Sequence, residues 1–266
     1  SITSYLDEKQ ILLKDFVIKE GELATIKDKL SGPFHRRYKE TLSKITIEST
    51  AAAINKIMKE NKSSNLIKIE KKDFIKYNFL SPLLHISDCP KHLYVRGNIP
   101  NKNEKTKVIA IIGTRSPTRY GKEVTEYLIR GLAGEDIIII SGLAIGIDTL
   151  SHREAINNNL LTVAFPGSGV NSDVLYPQSN KKFAEEILQR DGAIISEFEP
   201  NSKSRLYTFP ARNRILAGIA DLVLIIEAKE KSGTQITARL ALDYNKDVAI
   251  VPGSIFSEYS KGTFNL

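Results

Sequence analysis

From residue 107 onward the apolar positions fall into short continuous runs. Val108–Ile112, Ile137–Ile140, Thr162–Phe165, Ala193–Ile195, Leu222–Ile226 and Val248–Val251 are rich in Ile and Val, and a segment long enough for a helix separates each run from the next. A continuous rather than alternating run marks a strand buried on both faces. Strands that alternate with helices assemble as right-handed βαβ units into a parallel sheet. The pattern therefore predicts a doubly wound α/β domain with a mainly parallel sheet. In such sheets ligands sit beyond the carboxyl ends of the strands, which directs attention to the segment after each run.

The first part has a different rhythm. Ile11, Leu12, Phe16, Leu23, Ile26 and Leu30 recur at helical spacing, Ser31-Gly32-Pro33 breaks the pattern, and further helical stretches are expected at Phe34–Ile45 and Ile47–Lys59, the second capped by Thr46. Leu66–Ile69 is a short apolar segment, Tyr77–Pro90 reads as irregular chain, and Leu93-Tyr94-Val95 is expected as an edge strand. The expected division is a small helical N-terminal domain over residues 1–80 and the α/β domain over 81–266.

Composition narrows the class. The 266 residues are 41% hydrophobic and 26% charged, as in ordinary globular proteins, and no run reaches the apolar length of a membrane helix. No basic start with an apolar core and small-residue cleavage site is present, so no secretory signal is expected. One cysteine, Cys89, forms no internal disulfide, which fits the cytoplasm. The chain opens on Ser1 rather than Met and closes at Leu266, so a fragment is one expectation for its ends. The net charge of +7 lies wholly in residues 1–106, where 20 Lys and Arg face 13 Asp and Glu; residues 107–266 carry 18 of each. A basic surface suits a polyanion, but it equally suits a solvated helical face. Any anion site in the α/β part must come from local clustering.

Such clusters follow the strands. After the first comes Gly113-Thr114-Arg115-Ser116, with Gly121 a little further on and a helix expected from Tyr120. Glycine allows the turn, two hydroxyls and a planar guanidinium can meet a phosphate, and the helix N-terminus adds positive potential. The spacing is neither a dinucleotide G-x-G-x-x-G nor a phosphate-binding G-K-[ST] loop. After the second strand come Ser141, Gly142 and Gly146, then Asp148 in a structural, loop-bridging role, with His152 one turn on; two such groups without further ligands make a weak metal site. After the third, Tyr176, Asn180, Lys181 and Lys182 offer a ring, an amide and two ammoniums, a set suited to a sugar-phosphate chain with a stacked base, or equally to a packed ring and a solvated helix face. Arg212, Asn213 and Arg214 precede an apolar helix at Ile215–Ile219; two arginines near a helix N-terminus call for a nearby anion or for buried pairing, and one of them is expected to pair with Asp221 or Glu227 inside the protein. Ser232, Gly233 and Thr234 open another helix where an anion can sit.

Taken in order, the stretches G-T-R with Y-G at 113–121, S-G-L-A-x-G-I-D at 141–148, Y-P-x-x-N at 176–180, F-P-A-R-N-R-I-x-A-G at 209–218, E-A-x-x-x-S-G-T-x-I-T-A at 227–238 and V-P-G-S-I at 251–255 resemble the DprA/Smf family, DNA-processing protein A. The resemblance spans about residues 85–255. It implies a Rossmann-like domain that binds single-stranded DNA, forms a homodimer, delivers strands to the RecA recombinase, and serves natural transformation or recombination. It implies no enzyme activity, no cofactor and no metal. It further implies that Arg115 contacts bases and phosphates, that Lys181 and Lys182 fall in a basic pocket, that Ser141, Gly142 and Gly146 form a backbone cradle, and that the Arg212–Arg214 block is mainly architectural. The first part is only loosely like the family's helical N-terminal domain, of SAM or helix-hairpin-helix kind. Family members usually continue past the position of Leu266 toward a winged-helix tail.

Two other functions fit parts of the pattern. A nucleotide-binding or phosphoribohydrolase-like enzyme shares the layout, but such enzymes carry P-G-G-x-G-T-x-x-E. Here Pro166-Gly167-Ser168-Gly169-Val170 has no glutamate in register, so the carboxylate for glycosidic cleavage is missing. A partner-binding protein, docking through the basic first part, is the third.

Overall fold

A computed structural model of the chain describes residues 66–230 and 232–266. The helices and the break expected between residues 11 and 59 lie outside the described residues. The chain divides into two compact units between Met58 and Lys59.

Eight strands form one sheet: β1 (Leu66–Glu70), β2 (His92–Gly97), β3 (Lys107–Ile112), β4 (Ile137–Ser141), β5 (Leu161–Ala164), β6 (Ala193–Ser196), β7 (Leu222–Ile225) and β8 (Asp247–Ile250). Their order is β1-β2-β6-β5-β4-β3-β7-β8. The six strands from β3 to β8 are parallel to their neighbours, while β1 and β2 add on antiparallel beside β6. This is the mainly parallel sheet expected from the apolar runs, and the Rossmann-like layout implied by the family resemblance. Leu93–Val95 does not form an edge. The edge belongs to β1, whose alternating Lys68 and Glu70 keep it wet, a common way of blunting a free edge. Residues 66–80 therefore belong with the sheet, upstream of the division expected at residue 80.

Among the described residues the α-helices are α1 (Arg119–Gly131), α2 (Ile147–Asn157), α3 (Lys181–Gln189), α4 (Thr208–Ile219), α5 (Gly233–Asp243) and α6 (Glu258–Phe264). On β3, Val108, Ala110 and Ile112 pack to one side with Ile215, Leu216 and Ile219 of α4 and Ala238 and Ala241 of α5. Ile109 and Ile111 pack to the other with Ile129 of α1 and Ile147 and Ala155 of α2. Burial of both faces is why the strand sequence runs apolar without alternation. In α1 the buried positions Gly121, Thr125 and Ile129 recur every four residues, and the Thr118 hydroxyl accepts the Gly121 N–H as N-cap. Helix α4 begins seven residues earlier than the apolar stretch at Ile215 suggested. Its Pro210 sits in the first turn, where a missing N–H costs nothing. None of the described helices is long and apolar enough to cross a membrane.

From β3 the chain winds outward through β4, β5 and β6, then returns to the other side of β3 for β7 and β8. The winding direction thus reverses between β3 and β7. In folds of this kind such a reversal point is where ligands are held, beyond the carboxyl ends of the two strands.

Candidate functional site

The loop after β3 is stapled from both sides. Thr114 N–H donates to the Glu227 carbonyl at the end of β7 (2.8 Å), and Ile147 N–H at the start of α2 donates to the Thr114 carbonyl (3.1 Å). Ser116 N–H closes a local turn on Thr114 Oγ1 (3.2 Å). Gly146, at φ +87°, lies directly beneath: a side chain there would overlap the backbone of Thr114 and Arg115. The loop is thereby held with Arg115 and Ser116 on the exposed crest.

Arg115 does not extend freely into solvent. Its guanidinium carbon lies 5.3 Å from the centre of the Phe209 ring, on α4. Tyr176, 48% exposed, meets the same ring edge-on at 5.8 Å. Three segments far apart in the chain thus build one cation–aromatic surface, and no carboxylate among the described residues pairs with Arg115. Phe209 is held in place by Gly167, whose Cα it abuts, and by the neighbouring Thr208 hydroxyl, which donates to the Gly167 carbonyl.

Beneath this surface the polar groups are internal. Arg212 is buried; its Nη1 donates to the Gly142 carbonyl (2.7 Å) and its Nε to Asn213 Oδ1 (3.1 Å). Its guanidinium and the Asp148 carboxylate both crowd Gly142, where a Cβ has no room. Burial pushes the Asp148 carboxyl up, and the Arg212 cation pulls it back. Arg212 is pushed down to about 10 by burial, opposed by Asp148; the Arg115 cation adds to the lowering. His152 is pushed down to about 3, by burial first and then by the Arg212 cation, and its Nδ1 lies 2.7 Å from Thr162 Oγ1. No group of three or more metal-ligating side chains occurs among the described residues.

The other arginine of the block corrects the pairing expected from sequence. Arg214 bonds Glu197 (2.5 Å) and approaches Asp88 (3.4 Å), not Asp221 or Glu227. Asp221 instead holds Lys102 and the Val108 N–H, both at 2.8 Å. The Glu227 carboxylate accepts the N–H and the hydroxyl of Thr118.

The remaining residues of the expected site separate into bracing and surface groups. Ser141 is buried and donates to the Ile111 carbonyl (2.6 Å). Asn180 is buried and ties the second loop to α3 through the Leu143 carbonyl (2.9 Å) and Thr149 Oγ1 (2.7 Å). Lys181 is paired with Asp173 (3.0 Å). Lys182 lines a surface hollow with Glu186, Gln189 and Arg190, on the side of α3 away from its buried Ala184, Ile187 and Leu188. Asn213 reaches the Gly233 carbonyl (3.4 Å), which joins α4 to the start of α5. There Thr234 is buried, Gly233 is exposed, and the buried Ser232 hydroxyl makes no hydrogen bond among the described residues.

A family model described as DNA recombination-mediator protein A matches residues 65–266. The chain belongs to that family. It is 38% identical over 184 residues to the DNA processing protein DprA of Streptococcus pneumoniae, covering 69% of this chain and 63% of that protein. It is 30% identical over 265 residues to Protein Smf of Escherichia coli, covering 98% and 67%. The X-ray structure of DprA from Streptococcus pneumoniae superposes with a TM-score of 0.68 at 29% identity, over 99% of this chain and 84% of that one. A Helicobacter pylori DprA structure concerned with that protein's single-stranded DNA binding mode matches at 0.64 and 31%, over 77% and 88%. The chain spans less than two thirds of the length of the Streptococcus pneumoniae relative. Within this DprA/Smf sheet, sequence reasoning missed Phe209 as a site residue. The F-P-A-R-N-R block advertises its arginines, and only the chain's return to β3 brings the phenyl ring under Arg115. Lys203 and Arg205, exposed just before α4, were missed as well.

Proposed function

We propose that this chain is a DNA-processing protein that binds single-stranded DNA across the carboxyl ends of β3, β5 and β6, and delivers it to a recombinase of the RecA type in transformation or recombination. The observation that carries the reading is the Arg115 guanidinium on the Phe209 face, with Tyr176 beside it and no carboxylate partner. A cation resting on an aromatic face is presented to solvent with its geometry fixed, suited to a phosphate. The neighbouring ring offers a stacking surface, worth about 1–3 kcal/mol per base. Lys203 and Arg205 extend the positive rim. The backbone turns at Gly113, Gly142 and Gly146 and the start of α5 at Ser232–Thr234 frame the crevice, while Ser141, Asn180, Arg212 and Asn213 brace it from within. Lys181 and Lys182 add to the field at longer range.

The same reading makes the protein a binder and not a catalyst. Pro166–Val170, the stretch where phosphoribohydrolases carry their catalytic loop, is buried throughout. The proposed assembly is a homodimer in the cytoplasm, and the relatives named above supply the wider role. The test is fluorescence anisotropy with labelled oligo-dT over a series of salt concentrations, on wild type and Arg115→Ala. Wild-type affinity is expected to fall with a log–log slope of about −0.7 per phosphate contacted. Full retention of affinity by Arg115→Ala overturns the assignment of the site.

A further inference from the structure

In a doubly wound sheet the helix that follows the first strand ordinarily offers its positive N-terminus to a phosphate. Here that helix is α1, and a side chain of the protein has already taken the place. Glu227, at the carboxyl end of β7, is 5% exposed and has no cationic partner among the described residues. Its carboxylate accepts the Thr118 N–H (2.9 Å) and the Thr118 hydroxyl (2.6 Å) at the N-cap of α1. It also lies so close to Gly121, in the first turn, that a Cβ at that position would overlap it. A buried carboxylate without a counter-cation is costly unless hydrogen bonds and a dipole stabilise its charge. The N-cap Thr118 supplies the hydrogen bonds and the N-terminus of α1 the dipole, as they would for a phosphate oxygen.

We propose that Glu227 is a specificity-determining residue: it fills the phosphate position at the switch point with an internal anion. Free nucleotides and other small phosphate ligands, which rely on backbone N–H groups at that position, are thereby refused. A nucleic-acid strand is held instead by the side chains above the loop, Arg115 first. The part concerning DNA rests on the reading proposed above; the part concerning small phosphates does not. A fixed negative charge under the crest also lowers the potential that a strand feels, which keeps the complex releasable.

The test uses the full chain and inorganic pyrophosphate as probe, followed by calorimetry and by amide NMR shifts at residues 118–121. In wild type, pyrophosphate leaves those amides unmoved. Glu227→Gln keeps the shape and an acceptor oxygen but removes the charge; it is expected to bind pyrophosphate at least about tenfold more tightly, with shifts at those amides. Glu227→Asp retains the charge and continues to refuse the probe. Oligo-dT affinity of Glu227→Gln is expected to rise about threefold to tenfold at low salt. Pyrophosphate shifts at residues 118–121 in wild type overturn the proposal, and so does a folded Glu227→Gln with no gain for pyrophosphate. Should that variant fail to fold, the wild-type amides alone decide. Absence of oligo-dT binding by wild type counts against the DNA reading and leaves the pyrophosphate result standing.

Discussion

Arg115 and Arg212 interact electrostatically, yet they live in opposite surroundings. Arg212 is buried, with Asp148 beside it and the Gly142 carbonyl and Asn213 as acceptors. Arg115 stands on the exposed crest of its loop, on an aromatic face, with no carboxylate pairing among the described residues. The more conspicuous motif, F-P-A-R-N-R, therefore supplies the foundation. The modest Gly-Thr-Arg turn supplies the exposed charge, the one proposed to meet DNA. A guanidinium whose charge is met inside the protein stabilises the fold, and one left unmet is available to a ligand.

The largest effect should come from breaking the internal member. Arg212→Met strips Asp148 of its cation inside the protein and is expected to cost about 3–5 kcal/mol in urea unfolding. An unchanged unfolding midpoint would mean that Asp148 is held neutral or wet, and the contrast between the two arginines would lose its basis.

Next comes the acid limb of stability, which reports on the same buried layer. His152 stays neutral in the folded protein down to about pH 3 because burial disfavours its charge, and Arg212 adds to this. The unfolded chain takes up that proton near the usual 6.5, so between these values the unfolded state binds more protons. Stability is therefore lost as pH falls from about 6.5 toward 3, at up to about 1.4 kcal/mol per pH unit. Replacing His152 by Asn, which can still meet Thr162, should flatten that limb in thermal melts recorded across the range. An identical limb in the variant would place the titration elsewhere.

Arg115→Ala sharpens the comparison from the other side. Oligo-dT affinity should drop by about 1–3 kcal/mol, while stability changes by no more than about 0.5 kcal/mol. If the variant instead melts early and binds normally, Arg115 belongs with Arg212. The smallest effect is expected for Lys182→Ala, on the outer side of α3. Anisotropy titrations should show less than about a twofold change, in keeping with a screened, distant charge; a tenfold loss would extend the DNA path over that helix.

Much of the architecture was legible without coordinates. The six Ile/Val runs became β3 to β8; the inner strands are covered by helices and have few polar positions to interrupt them, while β8 keeps an apolar run as a half-exposed edge strand. Leu66–Glu70 escaped notice as a strand: it carries charge at alternate positions, and gains its identity only by pairing with β2. The start of α4 was misjudged because Phe209-Pro210 reads as punctuation until Pro210 is seen to occupy a first turn.

The sequence by itself determined the element order, the parallel sheet, the loops that gather at its carboxyl edge and the family to which the chain belongs. These follow from local periodicity and from short motifs, in which each residue's neighbours in the chain carry the information. Only the tertiary structure decided which charges remain free. Glu227 meets Thr118 across a sequence separation of 109 residues, and Arg212 meets Gly142 across 70. Whether a charge is solvated or cancelled depends on what the fold packs against it, and such partners leave no periodic trace in the chain.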